Sequence, residues 1–393
     1  MEGFQTIKEI LLSVICWLTC LVSLYFFVAY GLKFKMIKLI EEIGPPNSYK
    51  NLVSVIIPAC NEGKMLYKTV YSILKQEHEN LQIILINDRS TDDTGNIISE
   101  LAGKDGRIEV INIKELPAGW LGKPHALHIA MKKVKGEYVL VSDADVIFGP
   151  KVIKRAIQVS QLENADLITI KARIIWTNFS QQIVLGTLII LLVAKWVSNR
   201  GLSIIERIPK GIGNFNFIKT SSFNKTEGFV ALKMEILDDI GVGHLLQKEG
   251  FRCLLFLTHS ELSQSWYRSV SAAFKGLEKN LFSITAKFSY PRMLVISLLT
   301  ILNIIGPWIC LLFPFGHYLY LVSGIVLISL IVFSIVIGKH LSLSAWSILF
   351  LPLGTLFFIV ALINSSVAFY FRNGITWRGT HYSAEELKKG RIV

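Results

Sequence analysis

The stretch VSVIIPACNE, residues 53–62, decides the fold of this chain, because it is a β-branched, apolar run that ends in polar residues. Similar apolar runs follow at residues 83–86, 108–113 and 138–142, and amphipathic segments separate them. Strands that are apolar along their whole length are buried on both faces, which is typical of a parallel sheet covered by helices. The pattern therefore predicts an α/β fold with a Rossmann-like, mostly parallel sheet.

The composition predicts that the chain enters a membrane. It is 52% hydrophobic and 18% charged, with a mean hydropathy of +0.48, which is more apolar than an ordinary soluble domain. The net charge of +12 comes from basic residues that concentrate beside hydrophobic segments, as expected for a protein on an anionic leaflet. We therefore expect a membrane partner and no nucleic acid.

An N-terminal anchor is predicted within residues 1–45. The segment Ile10–Tyr30 is almost uncharged and long enough to span a bilayer, and Lys33, Lys35 and Lys38 follow it. The positive-inside rule then places its C-terminal end in the cytosol. A cleaved signal peptide is the alternative, but the apolar run is longer than a signal h-region and no small-residue cleavage site follows it.

The C-terminal region, residues 290–372, contains three hydrophobic blocks, at 293–315, 318–338 and 341–371. Three full spans would leave the basic tail, residues 373–393, outside the cell, which conflicts with the positive-inside rule. We expect two or three spans. The last block, interrupted by Pro352 and Gly354, or the first, with Pro307 and Pro314, is a candidate for a re-entrant or in-plane segment.

A further apolar segment, near residues 182–198, is too short to cross the membrane comfortably. We interpret it as an in-plane interfacial helix within a cytosolic domain at 50–285, with a buried core helix as the alternative.

Polar residues follow the first two strands, where α/β sheets bind ligands. Pro58, Asn61 and Glu62 end the first strand, and Asp88 ends the second. A carboxylate such as Asp88 accepts hydrogen bonds from a base N–H or a ribose hydroxyl. Residues 90–93, in contrast, are assigned to capping the next helix.

A glycine-containing segment, residues 119–127, places Lys123 at the start of a predicted helix. Free N–H groups at a helix start, with a cation beside them, suit a diphosphate. The spacing differs from that of a P-loop, and a solvated surface lysine is the alternative interpretation.

The strongest local signal is VLVSDAD, residues 139–145, in which a buried strand leads into Asp143 and Asp145. Two carboxylates at the end of a strand are costly unless a cation compensates them. Mg²⁺ or Mn²⁺ typically takes one or two protein carboxylates together with substrate phosphates. The pair therefore predicts a divalent-metal site at a donor diphosphate, with an Asp-rich surface turn as the alternative.

Two later groups of residues are candidates for contacting or activating a second substrate. Asp238 and Asp239 lie near the start of a helical stretch, so either a general base or simple helix capping explains them. The segment Gln264, Trp266, Tyr267 and Arg268 suits a sugar and phosphates, or a membrane-interface belt.

Taken in order, these motifs resemble the inverting family 2 glycosyltransferases, which share the GT-A nucleotide-sugar-binding fold. The resemblance runs from about Val53 to Phe282. It implies that Asp88 contacts the nucleotide base, Asp143 the ribose or phosphate region and Asp145 the metal. It further implies that Lys123 lies near the diphosphate and that Asp239 is the catalytic base; Asp238 stands where the family often has Glu.

The resemblance also bears on the acceptor. Processive synthases of this family carry Gln-x-x-Arg-Trp, whereas Gln264 here precedes Ser-Trp-Tyr-Arg, which favours transfer of a single sugar. The subgroup of bacterial enzymes that glycosylates carotenoids or is associated with hopanoids looks similar in four features. These are the Gly-Trp-Leu-Gly-Lys segment at 119–123, the N-terminal anchor, the apolar C-terminus and the closing Trp377-Arg378-Gly379 with Tyr382. By that analogy alone, the expected enzyme transfers a hexose from a UDP-sugar to an isoprenoid lipid, as a multi-pass protein of the cell membrane with a cytosolic catalytic domain.

The alternatives are a polyprenyl-phosphate sugar transferase, a processive polysaccharide synthase and a non-catalytic scaffold that binds nucleotide sugars.

Overall fold

The structure, a computed structural model, divides into two compact units. The described residues are 14, 17–25, 28, 37–44, 47–198, 211–267, 269–312, 317–344 and 346–392. The α/β unit comprises residues 37–175, 206–266 and 373–393, and the helical unit comprises residues 1–36, 176–205 and 267–372.

A mixed sheet of seven strands forms the centre of the α/β unit, in the order β3-β2-β1-β4-β8-β6-β9. Only β8 runs against the others, so the predicted α/β fold with a mostly parallel sheet is confirmed. Two small sheets, β5-β10-β7 and β11-β12, complete the strands. The strand bounds are β1 (Val53–Ala59), β2 (Leu81–Asp88), β3 (Ile108–Ile113), β4 (Tyr138–Val141), β5 (Val146–Phe148), β6 (Leu167–Lys171), β7 (Arg173–Ile174), β8 (Asn216–Lys219), β9 (Cys253–Leu257), β10 (Leu262–Gln264), β11 (Gly374–Trp377) and β12 (Thr380–Ser383).

Helices cover both faces of this sheet. Ile57 and Leu85 belong to the core cluster on one face, whereas Ile56, Ile84 and Val139 belong to the cluster on the other. Burial on both faces is why these strands are continuously apolar in the sequence. The helices of the unit are α1 (Gly63–Leu74), α2 (Thr94–Lys104), α3 (Gly122–Met131), α4 (Val152–Leu162), α5 (Thr220–Phe223), α6 (Asp238–Lys248) and α7 (Ala384–Lys389), with 3₁₀ turns at Ile40–Glu42 and Gly228–Val230.

The helical unit contains the apolar segments. Its helices are Phe179–Ser198, Val270–Glu278, Leu281–Ala286, Tyr290–Ile304, Gly306–Leu312, His317–Leu341, Trp346–Leu349 and Leu351–Phe371. Among the described residues, Leu351–Phe371 is the helix long and apolar enough to cross a membrane. The N-terminal span predicted at Ile10–Tyr30 lies mostly outside the described residues, although residues 17–25 are helical.

The last hydrophobic block, residues 341–371, is divided in the structure just before Pro352, because the helix Trp346–Leu349 ends there and Leu351–Phe371 begins. Gly354, in contrast, lies inside that second helix and does not interrupt it, contrary to the interpretation from sequence. Pro352 lies in the first turn of Leu351–Phe371, where its missing N–H breaks no helical hydrogen bond. Gly354 lies against the helix Phe179–Ser198, because a Cβ there would come within 2.1 Å of Thr187 Oγ1. A small residue at a helix crossing allows the two backbones to approach closely.

Candidate active site

The parallel strands β1, β2 and β4 bring the predicted site residues to one edge of the sheet. In β1, Ala59 pairs with Asn87 of β2, and Ile56 pairs with Val141 of β4. The residues that follow these three strands therefore meet at their carboxyl ends, which is where α/β sheets bind ligands.

Asn61 holds two of these strand ends together. Its backbone is in the left-handed region, with φ at 59°, and its side-chain Oδ1 accepts hydrogen bonds from the N–H groups of Thr91 (2.8 Å) and Asp92 (3.2 Å). Asn tolerates this conformation better than most residues. Asn61 thus links the loops after β1 and β2, while Pro58 lies inside β1, paired with Ile86. Contacts of Asn61 or Pro58 with a nucleotide-sugar donor stay a prediction.

Asp88 is buried at the end of β2 and forms a bidentate ion pair with its neighbour. Arg89 donates from Nε to Oδ1 at 2.8 Å and from Nη2 to Oδ2 at 3.1 Å, and the backbone of Arg89 is left-handed, with φ at 56°. Gly122 approaches this pair so closely that a Cβ there would lie 2.7 Å from Asp88 Oδ2. A carboxylate has further lone pairs that can accept hydrogen bonds from a nucleotide base N–H or a ribose hydroxyl.

Lys123 is the cation at the centre of the site. It is the second residue of α3, as the sequence predicts, and its Nζ lies 2.8 Å from Asp143 Oδ1 and 3.4 Å from Asp238 Oδ2. Burial acts to lower the pKa of Lys123, but the charges of Asp143, Asp238 and Asp239 raise it overall. Lys123 is therefore a permanent cation held among carboxylates.

Asp145 is held by a chain of amide hydrogen bonds. Gln264 donates from Nε2 to Asp145 Oδ1 at 2.8 Å, and Asn214 donates from Nδ2 to Gln264 Oε1 at 2.6 Å. Burial and then the charge of Asp143 raise the pKa of Asp145 to about 7. A carboxyl whose pKa is raised by a neighbouring carboxylate indicates a place where a cation would be favourable.

Asp238 and Asp239 open helix α6, where the helix dipole favours negative charge. Asp238 is buried and contacts Lys123; burial raises its pKa to about 7 although the Lys123 charge opposes this. Asp239 is partly exposed, and its Oδ1 accepts a hydrogen bond from the N–H of Ile240 at 2.8 Å. Burial raises the pKa of Asp239 as well, again opposed by Lys123.

The loop before β8 supplies site residues that the sequence analysis missed. Gly213 packs closely against Asp143, because a Cβ at Gly213 would come 2.5 Å from Asp143 Oδ2. The carbonyl of Gly213 also accepts a hydrogen bond from the N–H of Asp143 at 3.0 Å. Gly211 has φ at 141°, and a Cβ there would overlap the carbonyl of Asp239. The G-x-G-N pattern at 211–214 was the sequence signal for a tight loop here. Its contacts with Asp143 and Gln264 depend on the antiparallel placement of β8, which the sequence pattern does not give.

The Asp143 and Asp145 pair fits a divalent ion that the donor helps to bind. Within the residues that the structure describes, no group of three or more His, Cys, Asp or Glu side chains could hold a metal by itself. Mg²⁺ and Mn²⁺ commonly take one or two carboxylates and complete their shell with phosphate oxygens and water. The raised pKa of Asp145 is the observation that fits such an ion.

The predicted segment after Gln264 is divided between the two units. Gln264 is buried in the site, and Trp266 ends this part of the α/β unit. Tyr267 belongs to the helical unit, where its carbonyl accepts a hydrogen bond from Gln181 Nε2 at 2.9 Å. Arg268 lies outside the described residues. Acceptor contacts by Trp266, Tyr267 and Arg268 stay predictions.

Comparison with known proteins matches this region. The family model for glycosyl transferase family 2 matches residues 54–255. Glycosyltransferase GlyG of Streptococcus pneumoniae is 34% identical over 117 residues, which is 30% of this chain and 38% of that protein. The Escherichia coli protein WfaP, named a UDP-Glc:alpha-D-GlcNAc-diphosphoundecaprenol beta-1,3-glucosyltransferase, is 40% identical over 94 residues, 24% of this chain and 35% of that protein. The match thus spans little more than a third of either relative.

A solved structure shares the fold over most of the chain. It is a mannosyltransferase of Pyrobaculum calidifontis in complex with GDP-Man and Mn²⁺, with a TM-score of 0.55, 16% identity and coverage of 90% of this chain and 98% of that one. At this identity the likeness shows the GT-A-like fold alone.

Proposed function

Because this chain belongs to glycosyl transferase family 2, we propose that it is a membrane-bound, inverting, metal-dependent glycosyltransferase. It transfers a single sugar from a nucleotide sugar, a UDP-hexose, to a lipid acceptor such as a carotenoid, hopanoid or other isoprenoid lipid. The observation that carries the proposal is the cluster in which Lys123 contacts Asp143 and Asp238 beside Asp145, at the carboxyl edge of the parallel strands.

The donor lies across this edge. Asp88 accepts hydrogen bonds from the base, Asp143 faces the ribose or phosphate region and Lys123 lies near the diphosphate. Asp145, with Asp143, would hold the Mg²⁺ or Mn²⁺, and the chemistry supplied by such an ion would be Lewis-acid stabilisation of the departing diphosphate. The ion pairs of Lys123 fix the carboxylates before the donor arrives, so little reorganisation is needed during the reaction.

Asp239 is the proposed general base. It is the second residue of α6, where it is partly exposed, while the adjacent Asp238 is buried against Lys123. One carboxylate is thereby fixed as a structural partner of the lysine and the other is left to take the proton of an acceptor hydroxyl. The hydroxyl oxygen attacks the anomeric carbon on the face opposite the diphosphate, which inverts the configuration and releases the nucleoside diphosphate.

Several features support a lipid acceptor. The helix Leu351–Phe371 is long and apolar enough to cross a membrane, and the whole chain is 52% hydrophobic. We propose that residues 1–45 and 290–372 anchor a catalytic domain at 50–285 to the cytosolic face of the cell membrane, with the helix Phe179–Ser198 in the interface.

A second candidate is transfer to a lipid phosphate or diphosphate. It is favoured by the likeness to WfaP, whose name gives a diphosphoundecaprenol-linked acceptor. An acceptor that attacks through an anionic phosphate oxygen needs no strong base, so the two candidates differ in what they require of Asp239.

The test is transfer of radiolabel from a panel of UDP- and GDP-sugars by the protein in native membranes, with and without Mn²⁺ or Mg²⁺. We expect metal-dependent label in the organic-extractable lipid. Label only in a water-soluble polymer would contradict the lipid acceptor and favour a processive synthase, and metal-dependent binding without any transfer would favour a scaffold.

A further inference from the structure

The C-terminal residues 374–383 fold back onto the α/β unit as a hairpin, which we call the C-terminal hairpin. Strands β11 and β12 pair antiparallel with Trp377 opposite Thr380, so Arg378 and Gly379 form a two-residue turn. Both turn residues have positive φ, 52° and 79°, which is the geometry of a type I′ turn. From sequence this segment is expected to belong to a basic cytosolic tail, with Trp377-Arg378-Gly379 marking only a family resemblance and no hairpin predicted.

Arginine is an unusual residue for the first position of this turn. Type I′ turns strongly prefer Asn, Asp or Gly there, because other side chains strain a left-handed backbone. A residue that keeps such a conformation is held by surrounding contacts, and such positions cluster at functional sites. We therefore expect the role of Arg378 to follow from the contacts of its side chain.

Those contacts lead to the end of strand β1. Arg378 donates from Nη1 to the carbonyl of Cys60 and from Nη2 to Oε1 of Glu62. The hairpin also reaches the end of β2, since Thr380 Oγ1 accepts a hydrogen bond from Arg89 Nη1 at 3.3 Å.

A third contact of the hairpin lies at helix α3. Tyr382 is buried, and its hydroxyl is near enough to the backbone N–H of Gly122, the residue before Lys123, for that group to act on the pKa of Tyr382. The hairpin thus approaches three of the elements that carry proposed donor-binding residues: the end of β1, the end of β2 and the start of α3.

Glu62 gives the ion pair an electrostatic consequence for the donor. Its charge is near enough to Asp145 to help raise the pKa of that carboxyl, after burial and Asp143. A donor diphosphate brings further negative charge to the same edge. If Glu62 had no cationic partner, its charge would oppose the diphosphate, and screening would only partly reduce this in a half-buried site.

We propose that Arg378 is a positioning residue for donor binding that acts through Glu62, and that the C-terminal hairpin forms one wall of the pocket for the nucleotide. Arg378 neutralises Glu62 and fixes its side chain at the strand edge. This inference rests on the proposed function, because it assigns the pocket to a nucleotide-sugar donor.

The experiment compares the full-length protein in membranes with R378N, R378K and the control K389A. Asn suits the left-handed turn, so R378N keeps the hairpin while its side chain is too short to reach Glu62. K389A removes a positive charge from the same tail at the exposed end of α7. The readouts are KM for the donor, kcat, and the unfolding temperature.

We expect R378N to raise KM for the donor about tenfold, the usual scale for losing one charge-assisted contact, with most of the loss in KM rather than kcat. R378K should lose less, and K389A should match the wild type. An unchanged KM in R378N, or an equal rise in K389A, would overturn the proposal. A fall in unfolding temperature with unchanged KM would likewise show that the hairpin only stabilises the fold.

A double-mutant cycle with E62Q tests the route through Glu62. If Arg378 acts by neutralising Glu62, the double variant R378N/E62Q regains most of the donor affinity that R378N loses, because the uncompensated charge is gone. Additive losses would contradict the proposal, because they would show two independent contacts. If the wild type itself neither binds nor transfers from any nucleotide sugar, the proposed function fails, which is a different result from a wild type that works and an R378N that matches it.

Discussion

At the scale of single residues, the carboxylates of the site differ in whether a cation of the protein compensates their charge. Lys123 is shared between Asp143 and Asp238, so these two carboxylates are compensated without any ligand. Within the described residues, the side chain of Asp145 accepts a hydrogen bond from the neutral amide of Gln264, and its pKa is raised to about 7 by burial and by Asp143. The difference in compensation makes Asp145 the carboxylate of this group for which binding a cation would be most favourable.

Substitution of the proposed base should affect the chemical step. In D239N the amide cannot take a proton, so we expect kcat to fall by about 10²–10⁴-fold, while equilibrium binding of the donor is kept. The comparison of kcat with donor affinity in the same preparation checks this. A loss of less than about tenfold would contradict a hydroxyl acceptor and favour the lipid phosphate candidate.

The raised pKa of Asp145 predicts a pH-dependent response to metal. Because its folded-state pKa of about 7 exceeds the usual value of 3.8, protonation favours the folded protein, and this stabilisation is lost as pH rises through about 7. Above that pH the carboxylate is ionised and free to bind a cation. We expect Mg²⁺ to raise the unfolding temperature more at pH 8 than at pH 6.

A control variant separates the contribution of Asp145 to this pH dependence from that of Asp238. Asp238 has a similarly raised pKa but already contacts Lys123, so D145N should remove most of the pH difference. Equal shifts at pH 6 and pH 8 in the wild-type protein would argue against Asp145 as the titrating metal ligand.

At the scale of secondary-structure elements, the loop before β8 places the carboxylates of β4. Gly213 lies so close to Asp143 that a methyl group would meet its Oδ2 at 2.5 Å. We therefore expect G213A to displace Asp143 from Lys123 and to raise KM for the donor about tenfold or more. Steady-state kinetics on membranes measures this.

A matched control exists in helix α2. A Cβ at Gly103 meets nothing within 4 Å, so G103A should leave the kinetics unchanged and stabilise the helix by roughly 0.5–1 kcal/mol. If G213A behaved like G103A, the close packing of the loop would have no functional consequence.

The elements also explain what the sequence could predict. The ends of β1, β2 and β4 were located because β-branched runs that stop at Asn, Asp or Glu are local signals. The roles of Gly213 and Asn214 were not visible, because β8 enters the sheet antiparallel from a distant part of the chain. The C-terminal hairpin was missed for the same reason, since the ion pair of Arg378 with Glu62 joins residues over three hundred positions apart.

At the scale of the whole molecule, one chain combines a family 2 α/β unit with an apolar helical unit. Residues 373–393 follow the helix Leu351–Phe371 and yet belong to the α/β unit. The chain therefore returns from its apolar region to complete the fold that carries the proposed site. Of the two residues expected to break the last hydrophobic block, Pro352 lies where a helix begins, whereas Gly354 lies inside that helix and packs against another.

The most direct test of the central claim is calorimetric binding of UDP to the purified full-length protein, with and without Mn²⁺, for the wild type and D145A. The site proposed here predicts that UDP binds the wild type more tightly with Mn²⁺ than without it, by about tenfold or more, and that D145A abolishes this difference. UDP binding that is indifferent to Mn²⁺, or a metal effect that survives in D145A, would contradict a metal-dependent donor site at this edge of the sheet.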